Sequence, residues 1–401
     1  MEKRRRAWGQ SLTWNTVGAA LLALGAGAAL LVWPAPVTES VRASILYCLT
    51  GLAPSLFPFL ALTSFVVRSG AGAVFGRGLG FLARYVFRLP ACCAAPILLS
   101  WVGGYPAGAR AASLLLGQGE VTEGQAARMM LFCVNPGAAF VVTYLGGAVL
   151  HSVGAGWLLF AAVTLGSLFC GVLAAWGNPV PPKNGPVLPG KDPSSPGKDL
   201  KKPRGSPGGA LVAAVSDASA AVLRMCACIV LFAGGSAVLR ASGVTALLTG
   251  ALAGTGLCSP GEAQALLAFL LEVTGGVGTA TGYQAGAGLF AFGLAFGGLC
   301  VHLQVAALFA RFPGPWGRFL LFRVIHGLTA AGLAALLGQV WPLPQGSQAV
   351  FAQARNTGLA FGGLSTTAAG GLSLVLLCAA FLLLAGKAGE KEDCAPGRDV
   401  V

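Results

Sequence analysis

Residues 91–118 read ACCAAPILLSWVGGYPAGARAASLLLGQ, an apolar stretch interrupted at its centre by Gly103-Gly104-Tyr105-Pro106. Each arm has about a dozen residues, whereas a helix needs about 20 to cross the hydrocarbon core of a bilayer. A full crossing here would carry the basic segment 178–209 to the outside; a helix that enters and turns back at the glycines keeps it inside, as the positive-inside rule requires. A second break of this kind, EVTGGVGTATG at 272–282, lies in the later half of the chain. We read both stretches as re-entrant helical hairpins.

The rest of the chain is built for a bilayer. Of 401 residues, 55% are hydrophobic and 10% are charged, and the mean hydropathy is +0.76; soluble domains carry about 25% charged residues. The excess of 26 Lys and Arg over 13 Asp and Glu, a net charge of +13, reads as loop bias rather than nucleic-acid binding. The 11 cysteines are scattered, many within apolar runs, where a thiol behaves as a small hydrophobe and no disulfide framework is expected. With neither CxxC nor HExxH, and with His151, His302 and His326 as the histidines, no metal site and no cofactor are expected. No GxxxxGK[ST] loop is present to bind nucleotide, and the GGSAVLR stretch around Ser236 lacks a base nearby in sequence, so the chain is not read as an enzyme.

Loop charges order the segments. Residues 1–40 form an N-terminal transmembrane helix, apolar from 14 to 33 behind Lys3, Arg4, Arg5 and Arg6, with its N-terminus inside. Residues 178–209 are a basic, Pro/Gly-rich cytoplasmic linker. The linker separates two repeats, 41–177 and 210–342, and residues 343–401 supply a polar loop, a last helix near 372–385 and a cytoplasmic tail. Spans are expected at 41–67, interrupted by PSLFP, and at 129–150, 154–176, 210–239, 288–310 and 319–340. Arg77, Arg84 and Arg88, spaced i, i+7 and i+11, suit a basic amphipathic helix on the cytoplasmic interface, and Arg311, Arg318 and Arg323 suit an inside loop. Residues 242–283 have no Lys or Arg and are read as outside. The expected fold is an all-α polytopic membrane protein with about eight transmembrane helices and two re-entrant hairpins in an inverted repeat, a transporter-like design.

Broken helices free backbone groups at membrane depth, and a solute can satisfy them. In the first hairpin Gly103, Gly104 and Gly108 permit a tight turn and close approach, Tyr105 lies at the tip, and Pro106 can open the second arm. Arg110, one turn later, suits either an anion contact or a structural pair. In the second, Glu272 ahead of Gly275 and Gly276 suits proton or cation coupling, or an ion pair with Arg110 or Arg224. Asn135 before Pro136-Gly137 offers donors and an acceptor where the helix ladder is interrupted, or marks a kink; His302 and Gln304 offer polar groups in the matching later helix. Asp217 and Arg224 lie two turns apart on one helix face and suit a cavity or a neighbour pair.

GLAPSLFPFLALTSFVVRSG (51–70), GGYPAGARAA (103–112), TEGQAARMMLFCVNPGAAF (122–140) and FGGLCVHLQV (296–305) resemble the YlbJ-type sporulation integral membrane proteins, whose hairpins belong to the nucleoside-recognition or Gate domain. The resemblance spans nearly the whole chain. It implies a Gate-type fold and movement of a small anionic solute, dipicolinic acid, across the outer forespore membrane during sporulation. Helix N-termini and Arg110 agree with a dianion. Its partners would be that solute, the lipid bilayer, and either further copies of the chain or other sporulation membrane proteins, with no nucleic acid. A nucleoside-type carrier and a non-transporting protein of the spore envelope are the alternatives.

Overall fold

The computed structural model describes residues 14–69, 72–117, 119–181, 207–309 and 314–340, and every regular element among them is helical. Among the described residues, four helices are long and apolar enough to cross a membrane, or five if one bent pair is a single span. The chain opens with α1 (Trp14–Val32), α2 (Pro34–Tyr47), α3 (Ala53–Arg68) and α4 (Gly72–Tyr85). After these come two short helices, α5 (Ala94–Val102) and α6 (Tyr105–Gly117), then α7 (Glu123–Phe132), a π-helix (Ala139–Val149) and the long α8 (Val153–Ala175). The second half holds α9 (Pro207–Ala241), α10 (Val244–Ala253), α11 (Pro260–Leu271), α12 (Val273–Gly282), α13 (Ala287–Phe296), α14 (Gly298–Leu308) and α15 (Trp316–Val340).

Two packing centres emerge. Helices α2 and α3 lie along α9, while α8 and α13 both lie along α15, with α7 and the π-helix against α8. Small residues set the close approaches: a β-carbon on Gly156 would lie 2.9 Å from the Val141 carbonyl oxygen, and one on Gly166 would lie 3.3 Å from the Ala330 nitrogen. The short helices form two back-folded pairs. A β-carbon on Gly108 would sit 2.5 Å from Ser100 Cβ, which is possible only if α6 returns alongside α5 after turning at Gly103-Gly104. Likewise Gly276 on α12 faces Phe269 on α11, so this pair turns at Glu272.

Several expectations need correction. The first helix and its successor do not part near residue 40: α2 begins at Pro34, because proline at the first helical position lacks an N–H that would go unbonded there anyway. The interruption expected at PSLFP is present as a 56° bend between Pro34–Leu52 and Leu56–Val66; it follows a π-turn at Cys48–Leu52, and Pro58 lies within α3. Pro54 cannot donate to the carbonyl four residues back, and the Ala53 N–H bonds instead to Cys48 five residues back, re-registering the ladder. The span expected at 129–150 is discontinuous: residues 133–137 are not helical, since Pro136 removes a donor next to Gly137. The span expected at 288–310 matches a candidate crossing over Ala287–Leu308, which is interrupted locally at Gly297 and Gly298, with φ of +86° and +69°. Arg323 is not a loop charge but a fully buried residue of α15.

The remaining spans at 154–176, 210–239 and 319–340 correspond to α8, α9 and α15. Helix α4 carries Arg77 and Arg84, and Arg88 lies just beyond its end with φ +51°. Arg84 Nε donates to the Pro181 carbonyl at 2.8 Å and Arg88 donates to that of Asn178, which ties this basic segment to the start of the linker. The last helix expected near 372–385 and linker residues 182–206 lie outside the described residues.

Candidate functional site

The site begins with the way each chain break is held. Helix α7 starts on a capping box, Thr122 Oγ1 accepting from the Gln125 N–H at 3.2 Å while Gln125 Oε1 accepts from the Thr122 N–H at 2.9 Å. At its far end Asn135, almost wholly buried, donates through Nδ2 to Phe132 O at 2.8 Å and to Ser100 Oγ at 3.0 Å. Ser167 on α8 donates to the same Phe132 carbonyl, and Trp101 donates to Ser167, so the first hairpin is fastened to the break in α7. Asn135 Oδ1 has no hydrogen-bond partner among the described residues.

The tip of that hairpin then meets both breaks. Gly104, at φ +83°, lies against Gly137: a β-carbon on Gly137 would be 2.9 Å from Gly104 N and from the Val102 carbonyl oxygen. Tyr105 is buried, and its hydroxyl donates to Leu294 O on α13 at 2.6 Å, with its ring beside Gly297. Gly103 ends α5; Pro106 lies in the first turn of α6.

The tip of the second hairpin is organised by Glu272. Its backbone is extended, and its carboxylate caps α12, accepting from Thr274 N at 2.8 Å, Gly275 N at 2.7 Å and the Thr274 hydroxyl. A carboxylate therefore already occupies the anion-favouring N-terminus of that helix. Gly275 leaves room beside it, whereas Gly276 is pressed against Phe269.

Three of the four breaks, at Gly103-Gly104, Gly137 and Glu272, meet at one chamber of about 50 Å³ with room for a few water molecules, and α14 reaches it just past the fourth. Gly103, Gly104 and Tyr105 reach it from the first hairpin, Gly137 from the first broken helix, Glu272 and Thr274 from the second hairpin, and Cys300 and Gln304 from α14. Leucines of α3 and Met225 and Ile229 of α9 supply the apolar wall. Glu272 is the charged group in this lining, and no basic side chain is among the residues described there. Beyond Glu272 and Thr274 a wider vestibule of about 400 Å³ opens between α2, α9, α10 and the second hairpin. Its polar groups include Ser40, Tyr47, Ser236, Arg240, Gln264 and Thr279.

Of the residues singled out in the sequence, Gly103, Gly104, Tyr105, Glu272 and Gln304 line the chamber, and Gly275 lines the vestibule. Gly108 and Gly276 allow close packing behind the two tips. Asn135 stands behind the Gly137 wall. His302 is elsewhere: Nε2 is 2.9 Å from Phe296 O, and the ring lies between those of Phe296 and Phe319, so it spans the break in α13. Arg110 does not line the chamber but pairs with Asp217 on α9 at 3.5 Å, and Arg68 pairs with the same carboxylate. Arg224 is exposed and takes no part in that cluster, and Glu272 pairs with neither arginine. Four participants escaped the sequence reading: Tyr47, Thr274, Arg240 and Arg323. Thr274 had a visible signal, a hydroxyl two residues after an acid at a helix start. No family model, curated protein or solved structure matches the chain.

Proposed function

We propose that the chain is a carrier or facilitator that moves a small polar solute across a membrane, binding it between the tips of two re-entrant hairpins. The observation that carries this reading is the meeting of both hairpin tips and the break at Gly137 in one chamber, the arrangement in which broken helices bind a solute in carriers. The order of a hairpin followed by a broken helix occurs twice, in α5–α6 with α7 and the π-helix, and in α11–α12 with α13–α14. That recurrence supports two related halves, and the arrangement we propose for them is an inverted repeat of Gate type with about eight spans. We take the vestibule to lie on the outer side, because residues 242–283 have no Lys or Arg. The chamber is too small for a ring-sized solute, so binding requires a tip to move; the Glu272–Thr274 lip, shared by chamber and vestibule, is the segment we assign to that movement.

The solute we propose is a small anion, dipicolinate, with the outer forespore membrane as its place of work. The YlbJ-type resemblance supports this, and Arg240 beside the vestibule gives an anion a cation on its way in. A nucleoside-type solute is the second reading, favoured by a chamber whose wall is apolar and whose charge is a carboxylate. Thermal unfolding of the detergent-purified protein with dipicolinate, nucleosides and an unrelated dicarboxylate separates them. A ligand at about 100 times its dissociation constant adds roughly 2.7 kcal/mol. Stabilisation by dipicolinate alone is the expected result; stabilisation by nucleosides alone transfers the assignment to the second reading, and indifference of folded protein to all of them counts against a carrier.

A further inference from the structure

Arg323 is fully buried in α15, and no carboxylate pairs with it among the described residues. A guanidinium held in that way is costly unless its donors are met. Both terminal nitrogens are met by backbone, while Nε has no partner among the described residues: Nη1 donates to Val134 O at 2.5 Å and to Ala295 O at 3.5 Å, and Nη2 donates to Leu131 O. Leu131 belongs to the last turn of α7 and Val134 to the break after it; Ala295 belongs to the last turn of α13. Carbonyls in a last helical turn have lost their N–H partners, and the aligned peptide dipoles place about half a negative charge at each such end. One side chain thus answers two helix C-termini, reaching Val134 across 189 residues and Ala295 across 28. The ring of Phe319, 5.5 Å from the guanidinium carbon, closes one side.

In carriers built from broken helices, unwound carbonyls and half-helix C-termini are the groups that coordinate a dissolved coupling cation. We infer that Arg323 is a built-in cation: it occupies that role at both breaks, clamps them to each other, and makes their geometry independent of Na⁺. This holds whatever the solute is, and it is independent of the dipicolinate assignment. Arginine rather than lysine suits the position because its planar fork addresses carbonyls on both helices, whereas an ammonium is a single point. Arg323 is a positioning residue; it lines neither the chamber nor the vestibule.

The test compares Arg323→Lys, which keeps a cation, with Arg323→Met, which keeps much of the length without charge, by thermal unfolding in NaCl, KCl and choline chloride of equal ionic strength. The wild type should unfold at one temperature in all three. The lysine variant should unfold at a lower temperature, the methionine variant at a lower one still, and the latter alone should gain from Na⁺ or from sub-denaturing guanidinium. A side chain that merely fills space predicts the reverse order, because exchange of a buried charge for an apolar group is often neutral or stabilising. A methionine variant as stable as the wild type and indifferent to cations therefore overturns the inference. If neither variant folds, the wild type decides: a rise in its midpoint specific to Na⁺ overturns the inference, and equal midpoints support it.

Discussion

A β-carbon on Gly276 would lie 2.3 Å from Cδ1 of Phe269 and 2.8 Å from its Cα, so the ring and backbone of one hairpin arm fill the space that any side chain on the other would need. The ring is fully buried and also abuts Gly293 of α13. It cannot swing aside without striking that helix. Gly276→Ala should therefore destabilise the protein by about 2–3 kcal/mol, at the upper end of the usual cost of overpacking. Its neighbour is the control: a β-carbon on Gly275 meets only the Glu272 carboxylate, at 3.6 Å, and Gly275→Ala should be tolerated. Equal thermal unfolding of the two variants would mean that the arms are not packed in this way.

The first hairpin offers a parallel comparison with a different mechanism. Gly104 has φ +83°, where a side chain costs about 1–2 kcal/mol, but its β-carbon would approach Gly137 no closer than 3.3 Å. A β-carbon on Gly137 would press on two fixed backbone atoms at 2.9 Å. Gly137→Ala should consequently open the tip and abolish solute uptake in vesicles, while Gly104→Ala should lower stability and retain part of the uptake. The opposite ranking would show that conformation, not close approach, governs the tip.

Arg110 was attractive in the sequence as an anion contact, and its place beside Asp217 changes what its removal should do. Both arginines of the cluster are partly exposed, so the pair Arg110–Asp217 is worth no more than about 1 kcal/mol and weakens with salt. If Arg110 acts through Asp217, then Arg110→Ala and Asp217→Ala should impair uptake to a similar degree, and the double variant should be little worse than either. Loss of uptake in the arginine variant alone would restore a direct contact with the solute.

The breaks were legible because glycine and proline interrupt apolar runs at 103–106 and 272–276, and two short arms cannot hide in a 20-residue span. The interruption at 133–137 was legible in Pro136, inside an apolar span; the one at 297–298 was not, because only backbone geometry separates Gly297-Gly298 from the other glycines of a chain that has 60. Arg323 was misread for a related reason. Close in sequence to Arg311 and Arg318, it is taken by charge counting as an inside signal, and nothing in the sequence reveals that carbonyls 189 and 28 residues away supply its partners. Capping boxes at Thr122–Gln125 and Ser259–Glu262, by contrast, were visible as spaced pairs and went unused as helix starts.

Glu272 separates the two proposed solutes by the sign of one change. Its carboxylate accepts three hydrogen bonds at the start of α12 and faces both chamber and vestibule. Glu272→Gln keeps the shape but loses one good acceptor, so the folded protein should lose about 1–2 kcal/mol. Binding should move independently of that. Two like unit charges about 8 Å apart repel by about 2 kcal/mol at an effective dielectric constant near 20, so removing the carboxylate should tighten a monoanion in the chamber roughly thirtyfold and a dianion by more. An uncharged nucleoside gains nothing from the loss of that charge, and if it donates hydrogen bonds to the carboxylate it binds more weakly to the variant. Equilibrium binding of dipicolinate and of a nucleoside to wild type and variant in detergent reads both signs at once. Dipicolinate affinity that stays unchanged in folded Glu272→Gln would put the anion away from the hairpin tips, and affinity that falls would mean that Glu272 assists the solute rather than opposing it.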